Sequence, residues 1–101
     1  MFTSGQGPID PLTNQVLQGT TEEQTRLTLS NLKTIIEAAG FSMENVLKVT
    51  AFLEDMSDFP TFNEVYKEFF ASSKPARACI QAGKLPPGWK VEVEAIIGKG
   101  G

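Results

Sequence analysis

The apolar positions change period along the chain, and the changes mark its elements. Between residues 20 and 39, Leu29, Leu32, Ile35, Ile36 and Ala39 recur at helical spacing. Thr20 with Glu23, or Thr21 with Gln24, has the spacing of a capping box, and Glu22 and Glu23 suit the positive end of the helix dipole. Gly40 stands where a helix-terminating glycine belongs. A helix over about 20–39 is therefore predicted. Val46–Glu54 is rich in β-branched and aromatic residues and reads as a strand. Beyond it, Phe59, Phe62, Tyr66, Phe69 and Phe70 form an aromatic stripe on a second helix. Ser57 is its expected cap, and Pro60 lies in the first turn, where a missing N–H costs little. The stripe reads as core packing in preference to a cofactor box.

Proline and glycine divide the rest. Met1–Gln6 reads as a short strand end closed by Gly5, Gly7 and Pro8. Asp10–Asn14 has turn chemistry, and Val16-Leu17 a brief extended character. Pro75 precedes a strand over Arg77–Gly83, Pro86-Pro87-Gly88 makes a tight connection, and Val91–Ile97 alternates cleanly as a last strand. The tail from Gly98 to Gly101 is expected to fray. The order strand, helix, strand, helix, strand, strand predicts an α+β domain, residues 1–101, with two helices on one face of a mixed sheet.

Alternation also sorts the candidate chemistry. Arg77, Cys79 and Gln81 share one face of their strand, and Glu92 and Glu94 share one face of theirs. If the last two strands pair across the Leu85–Trp89 turn, Arg77 and Cys79 lie near the glutamates on a polar face turned away from the helices. Such a face on a small domain favours an oligomer. Arg77 is the residue type best suited to a bidentate carboxylate clamp, and equally to an ion pair with Glu92 or Glu94. Glu92 suits orienting a water, or is a solvated strand carboxylate. Ser4-Gly5-Gln6 offers a hydroxyl and backbone donors, or only a turn. Asn63 either bonds across an interface or faces solvent.

Composition narrows the chemistry. A chain of 101 residues is one domain. The net charge of −3, with nine scattered basic residues, gives no nucleic-acid surface. No run is long enough to span a bilayer, and the N-terminus lacks signal-peptide features. One cysteine, Cys79, allows no internal disulfide and suits a reducing, cytoplasmic setting. The absence of histidine removes the commonest general base and metal ligand, so no metal is expected and Cys79 reads as a small buried hydrophobe, not an activated nucleophile.

Several segments, in order and over almost the whole chain, resemble the RidA/YjgF family of imine deaminases. They include Phe2-Thr3-Ser4-Gly5-Gln6, Asn31-Leu32-Lys33, Phe62-Asn63-Glu64-Val65-Tyr66, Pro75-Ala76-Arg77-Ala78-Cys79 and Glu92-Val93-Glu94-Ala95-Ile96. The P-A-R-x-C and E-x-E-A-I elements together are specific. The resemblance implies a chorismate-mutase-like fold in a homotrimer, with clefts between subunits and no cofactor. It implies hydrolysis of reactive 2-imino and 2-enamino acids, such as 2-aminoacrylate, to 2-keto acids and ammonia. A regulatory trimer that binds small carboxylates without turnover is the alternative. Arg77 matches the carboxylate clamp and Glu92 the group that positions water. Cys79 and Gly5 match substrate-contacting backbone, and Ser4 and Asn63 cleft-lining positions. Family members begin about two dozen residues earlier, with a strand and a Gly-Pro-Tyr segment, so an N-terminally short domain with an unpaired sheet edge is expected.

Overall fold

A computed structural model describes residues 1–98. Its centre is a three-stranded sheet in the order β4-β3-β5, formed by β3 (Val46–Leu53), β4 (Ala76–Gln81) and β5 (Val91–Ile97). β3 runs parallel to β4 and antiparallel to β5. A small hairpin, β1 (Ile9–Asp10) with β2 (Gln15–Val16), turns through Asn14 at φ 58° and precedes the first helix. The N-terminal segment lies antiparallel along β5 through bridges Phe2 to Ile96 and Gln6 to Val93.

The helices follow their sequence signals closely. α1 (Thr21–Ala38) begins on the Thr20/Glu23 alternative of the capping box. Thr20 Oγ1 accepts from Glu23 N at 3.1 Å, and Thr20 N donates to Glu23 Oε1 at 2.9 Å. Gly40 follows its end at φ 87°, a left-handed conformation that favours glycine. α2 (Phe59–Phe69) departs from the expected start. A short 3₁₀ turn, Met56–Asp58, precedes it and is capped by Asp55, which accepts from Ser57 N at 2.9 Å. Asp58, not Ser57, stands at the N-cap of α2 and makes no side-chain capping bond.

The core lies between the two helices and one sheet face. Leu29, Leu32 and Ile36 of α1 and Phe62, Val65 and Tyr66 of α2 pack onto Val49, Ala51 and Leu53 of β3 and onto Val91, Val93 and Ala95 of β5. The aromatic stripe is core, as expected, with Tyr66 and Phe70 ring centroids 4.5 Å apart. The buried face of α1 continues into polar residues. Gln24 is buried, with Nε2 donating to Leu17 O and Gly88 O at 2.9 Å each and Oε1 accepting from Lys90 N at 2.8 Å. One amide side chain thus ties the β2 exit to the turn before β5.

Two expectations about the sheet are corrected. β4 and β5 do not pair, because β3 lies between them. A helix separates β3 from β4, and such a connection permits parallel pairing, whereas the fully apolar alternate positions of β3 suit a central strand. Nor do Arg77 and Cys79 share the glutamates' face. Arg77 is registered with Val49 and Cys79 with Ala51, both on the helix side, while Glu92 is registered with Phe52 and Glu94 with Thr50 on the other. Gly98, taken as the start of a frayed tail, donates to Asn45 O at 2.9 Å, and the rest of that tail lies outside the described residues.

Candidate functional site

Arg77 sits near the start of β4, an edge strand, and is exposed. Its Nη1 donates to Asn63 Oδ1 at 2.6 Å. The guanidinium carbon stands 4.6 Å from the centroid of the Tyr66 ring and 5.3 Å from that of Phe59. These contacts orient the cation without neutralising it. Among the described residues the ion pairs are Arg26 with Glu22 and Glu68, and Lys67 with Glu64, so the pairing of Arg77 with Glu92 or Glu94 is not formed. A groove of about 690 Å³ opens beside Arg77, lined also by Asn63, Tyr66, Lys67, Phe70, Lys74 and Pro75. An oriented guanidinium whose other N–H groups are unbonded among the described residues, at the rim of an apolar groove, is chemically suited to a carboxylate.

Cys79 lies two residues along the same face and packs against the core. Burial pushes its thiol above the ordinary value, partly opposed by the Arg77 charge, so it stays protonated at neutral pH. That fits a small hydrophobe and not a nucleophile. Burial likewise raises the Tyr66 phenol, again against the pull of Arg77.

A second cluster forms on the other side of the sheet. Thr3 N donates to Ala95 O at 3.0 Å and Gln6 N to Val93 O at 2.7 Å, which lays Ser4 and Gly5 beside the outward-facing side chain of Glu92. The approach is so close that a Cβ on Gly5 would stand 2.9 Å from the Glu92 carboxyl carbon and nearer still to Oε2. Glycine is needed here for space, not for backbone conformation. Ser4 is exposed, and its Oγ accepts from Gln6 Nε2 at 3.2 Å. Trp89 shapes neither cluster directly. Its ring covers Gly7, where a side chain would collide with it.

The expected site residues therefore separate into two groups. Arg77, Asn63 and Cys79 gather on the helix side, and Ser4, Gly5 and Glu92 on the opposite face. The sequence reading missed Phe59, Tyr66, Lys67 and Lys74 as neighbours of Arg77. The available signal was the spacing of Phe59, Asn63, Tyr66 and Lys67 at three to four residues along α2, which places them on adjoining helix positions. Around Glu92 the outer face carries exposed apolar side chains, among them Phe2 at 79%, Ile80 at 51% and Ile96 at 37% exposure. Among the described residues no cluster of three or more His, Cys, Asp or Glu is placed to hold a metal, and no helix is long and apolar enough to cross a membrane.

Residues 1–98 match the family model described as Endoribonuclease L-PSP. A RutC family protein of Pyrococcus horikoshii is 48% identical over 99 residues, covering 98% of this chain and 79% of the relative. The 2-iminobutanoate/2-iminopropanoate deaminase of Bos taurus is 44% identical over 100 residues, covering 99% of this chain and 73% of the relative. A crystal structure from Thermotoga maritima superposes with a TM-score of 0.96 at 48% identity, over 99% of this chain and 79% of the other. Escherichia coli TdcF with bound serine gives 0.90 at 43%, over 98% of this chain and 80% of the other. The helices on one face of a mixed sheet are the chorismate-mutase-like arrangement of these neighbours. With the sequence motifs, the superposed fold and the matched model in agreement, the chain belongs to the RidA/YjgF/RutC family.

Proposed function

We propose that this protein hydrolyses reactive 2-imino and 2-enamino acids, such as 2-aminoacrylate and its imine tautomer, to 2-keto acids and ammonia. The observation that carries the reading is Arg77: a guanidinium oriented by Asn63 and two rings, with no carboxylate partner among the described residues. Arg77 holds the substrate carboxylate, and the imine carbon lies next to it.

Glu92 positions the water. The water oxygen bonds to C2 and a proton passes to nitrogen, giving a carbinolamine. Collapse to the carbonyl then breaks the C–N bond and releases ammonia. Imines are reactive enough that positioning and one modest acid/base group supply the acceleration, without metal or covalent nucleophile. The backbone at Gly5 and Cys79, with Ser4 and Asn63, lines the cleft.

Arg77 and Glu92 stand on opposite faces of one sheet, so a single copy cannot present both to one ligand. The reading therefore includes assembly as a homotrimer, in which Arg77 of one copy meets Glu92 and Gly5 of the next. The apolar outer face around Glu92 supports such an interface. The names of the Bos taurus and Escherichia coli relatives support the reaction class. The lone Cys79 suits work in the cytoplasm.

The test is steady-state 2-keto acid formation from 2-aminoacrylate generated in situ. The expected result is a rate above the uncatalysed background that Arg77→Ala abolishes. A folded protein with no rate above background, yet with Arg77-dependent binding of 2-oxobutanoate, would leave a carboxylate-binding regulator in place of the enzyme.

A further inference from the structure

The groove beside Arg77 is larger and more cationic than a three-carbon acid requires. Its volume of about 690 Å³ is lined by Arg77, Lys67 and Lys74 together with Tyr66 and Phe70, and within one copy no carboxylate lines it. Pockets of that order hold ligands far bigger than 2-aminoacrylate.

The two lysines are not otherwise engaged to any depth. Lys67 Nζ meets Glu64 Oε1 at 3.4 Å between two well-exposed side chains, an arrangement that contributes little. Lys74 makes no side-chain hydrogen bond or ion pair among the described residues. Its amide reaches Phe70 O at 3.4 Å. Its backbone sits at φ 43°, a left-handed conformation that a non-glycine residue adopts at some cost. That turn leaves Lys74 at the groove, immediately before Pro75.

We infer that this groove receives a second anionic group, so that the preferred ligands are 2-imino and 2-oxo acids with a distal carboxylate. Arg77 takes the carboxylate beside the reacting carbon. Lys74, together with Lys67, takes the distal one, and the apolar lining carries the methylenes between. This rests on the reading of Arg77 as a carboxylate clamp.

The test compares two stable acids of equal chain length, 2-oxopentanoate and 2-oxoglutarate, by calorimetric titration of the full chain at low ionic strength. Two exposed cations make the dicarboxylate roughly fivefold tighter. The preference falls to about one in Lys74→Gln and at about 0.5 M salt, where screening is strong. Lys33→Gln, on α1, keeps it. Equal or weaker dicarboxylate binding in the parent protein overturns the inference, as does a preference that survives in the Lys67→Gln/Lys74→Gln double variant. If 2-oxopentanoate binds in an Arg77-dependent way without any dicarboxylate preference, only the distal subsite falls. If neither acid binds, the clamp itself is wrong and the subsite goes with it.

Discussion

Asn63 Oδ1 accepts a hydrogen bond from Arg77 Nη1 at 2.6 Å, and this contact holds the guanidinium against the Tyr66 and Phe59 rings. Asn63→Ala is expected to leave Arg77 charged but mobile. Loss of one hydrogen bond to a charged group then weakens 2-oxobutanoate binding about fivefold. Asn63→Asp replaces a neutral acceptor with a competing carboxylate and is expected to weaken binding at least tenfold. Titration of both variants checks the order, which reverses if Asn63 merely fills space.

Gly5→Ala puts a methyl group into the Glu92 carboxyl. Glu92 lies on the outer, partly exposed face, so it can swing away and the fold survives. On the proposed mechanism, its hold on the attacking water does not survive. The expected result is a kcat reduced about tenfold with a smaller change in KM, since the carboxylate clamp lies elsewhere. A unchanged kcat would separate Glu92 from the chemistry.

Because Arg77 and Glu92 face opposite ways in one copy, inactive variants should rescue each other. Arg77→Ala and Glu92→Gln chains are each expected to be inactive alone. Unfolded and refolded together in equal amounts, they assemble at random, and about a quarter of the shared clefts in a cyclic oligomer regain both groups. A mixture with no activity above its parts would place both residues' work within one chain, or nowhere.

Much of this was legible in the sequence, and the failures have a common physical root. The capping box at Thr20, the glycine at position 40 and the alternation of Val91–Ile97 are local signals, and each was realised. Period-2 alternation shows which residues of a strand share a face. It does not show which way that face points, nor which strand is its neighbour. Arg77 and Glu92 were therefore put on one side when the register with β3 sets them on two. Gln24 was read only as a possible cap partner. Its phase with Thr28, Leu32 and Ile36 marks the buried stripe, but a polar residue there is recognised only once the backbone groups it serves, 64 and 66 positions away, are known.

Gln24→Leu tests that stripe. The apolar side chain fits the volume but abandons Lys90 N and leaves the carbonyls of Leu17 and Gly88 to solvent. A loss of roughly 2 kcal/mol is expected, which for a domain near 100 residues lowers Tm by about 8–16 °C. Urea unfolding with an unchanged m-value would show that stability alone is affected.

Three exposed carboxyls are expected to weaken the fold in acid. Hydrogen bonds from Thr20 hold Glu23 below its ordinary 4.5, those from Ser57 hold Asp55 below its ordinary 3.8, and the Arg26 pair holds Glu68 below 4.5. Each folded value lies below the unfolded one, so their contribution is complete above about pH 5 and is lost as pH falls through the folded values. The urea midpoint is expected to be flat from about pH 7 to 5 and to decline below pH 4. Because all three groups are exposed, added salt should soften the decline, and Glu68→Gln should flatten part of it.

The central place of β3 has a consequence for the newborn chain. A ribosome delivers β3, α2 and β4 before β5, so Val49, Ala51 and Leu53 meet their helices while one backbone edge of β3 still has nothing to bond. That edge stays adhesive until residues 91–97 emerge and the first six residues close over them. Capture of β5 is thus a long-range step, expected to be slower than helix formation and open to mispairing with another nascent copy.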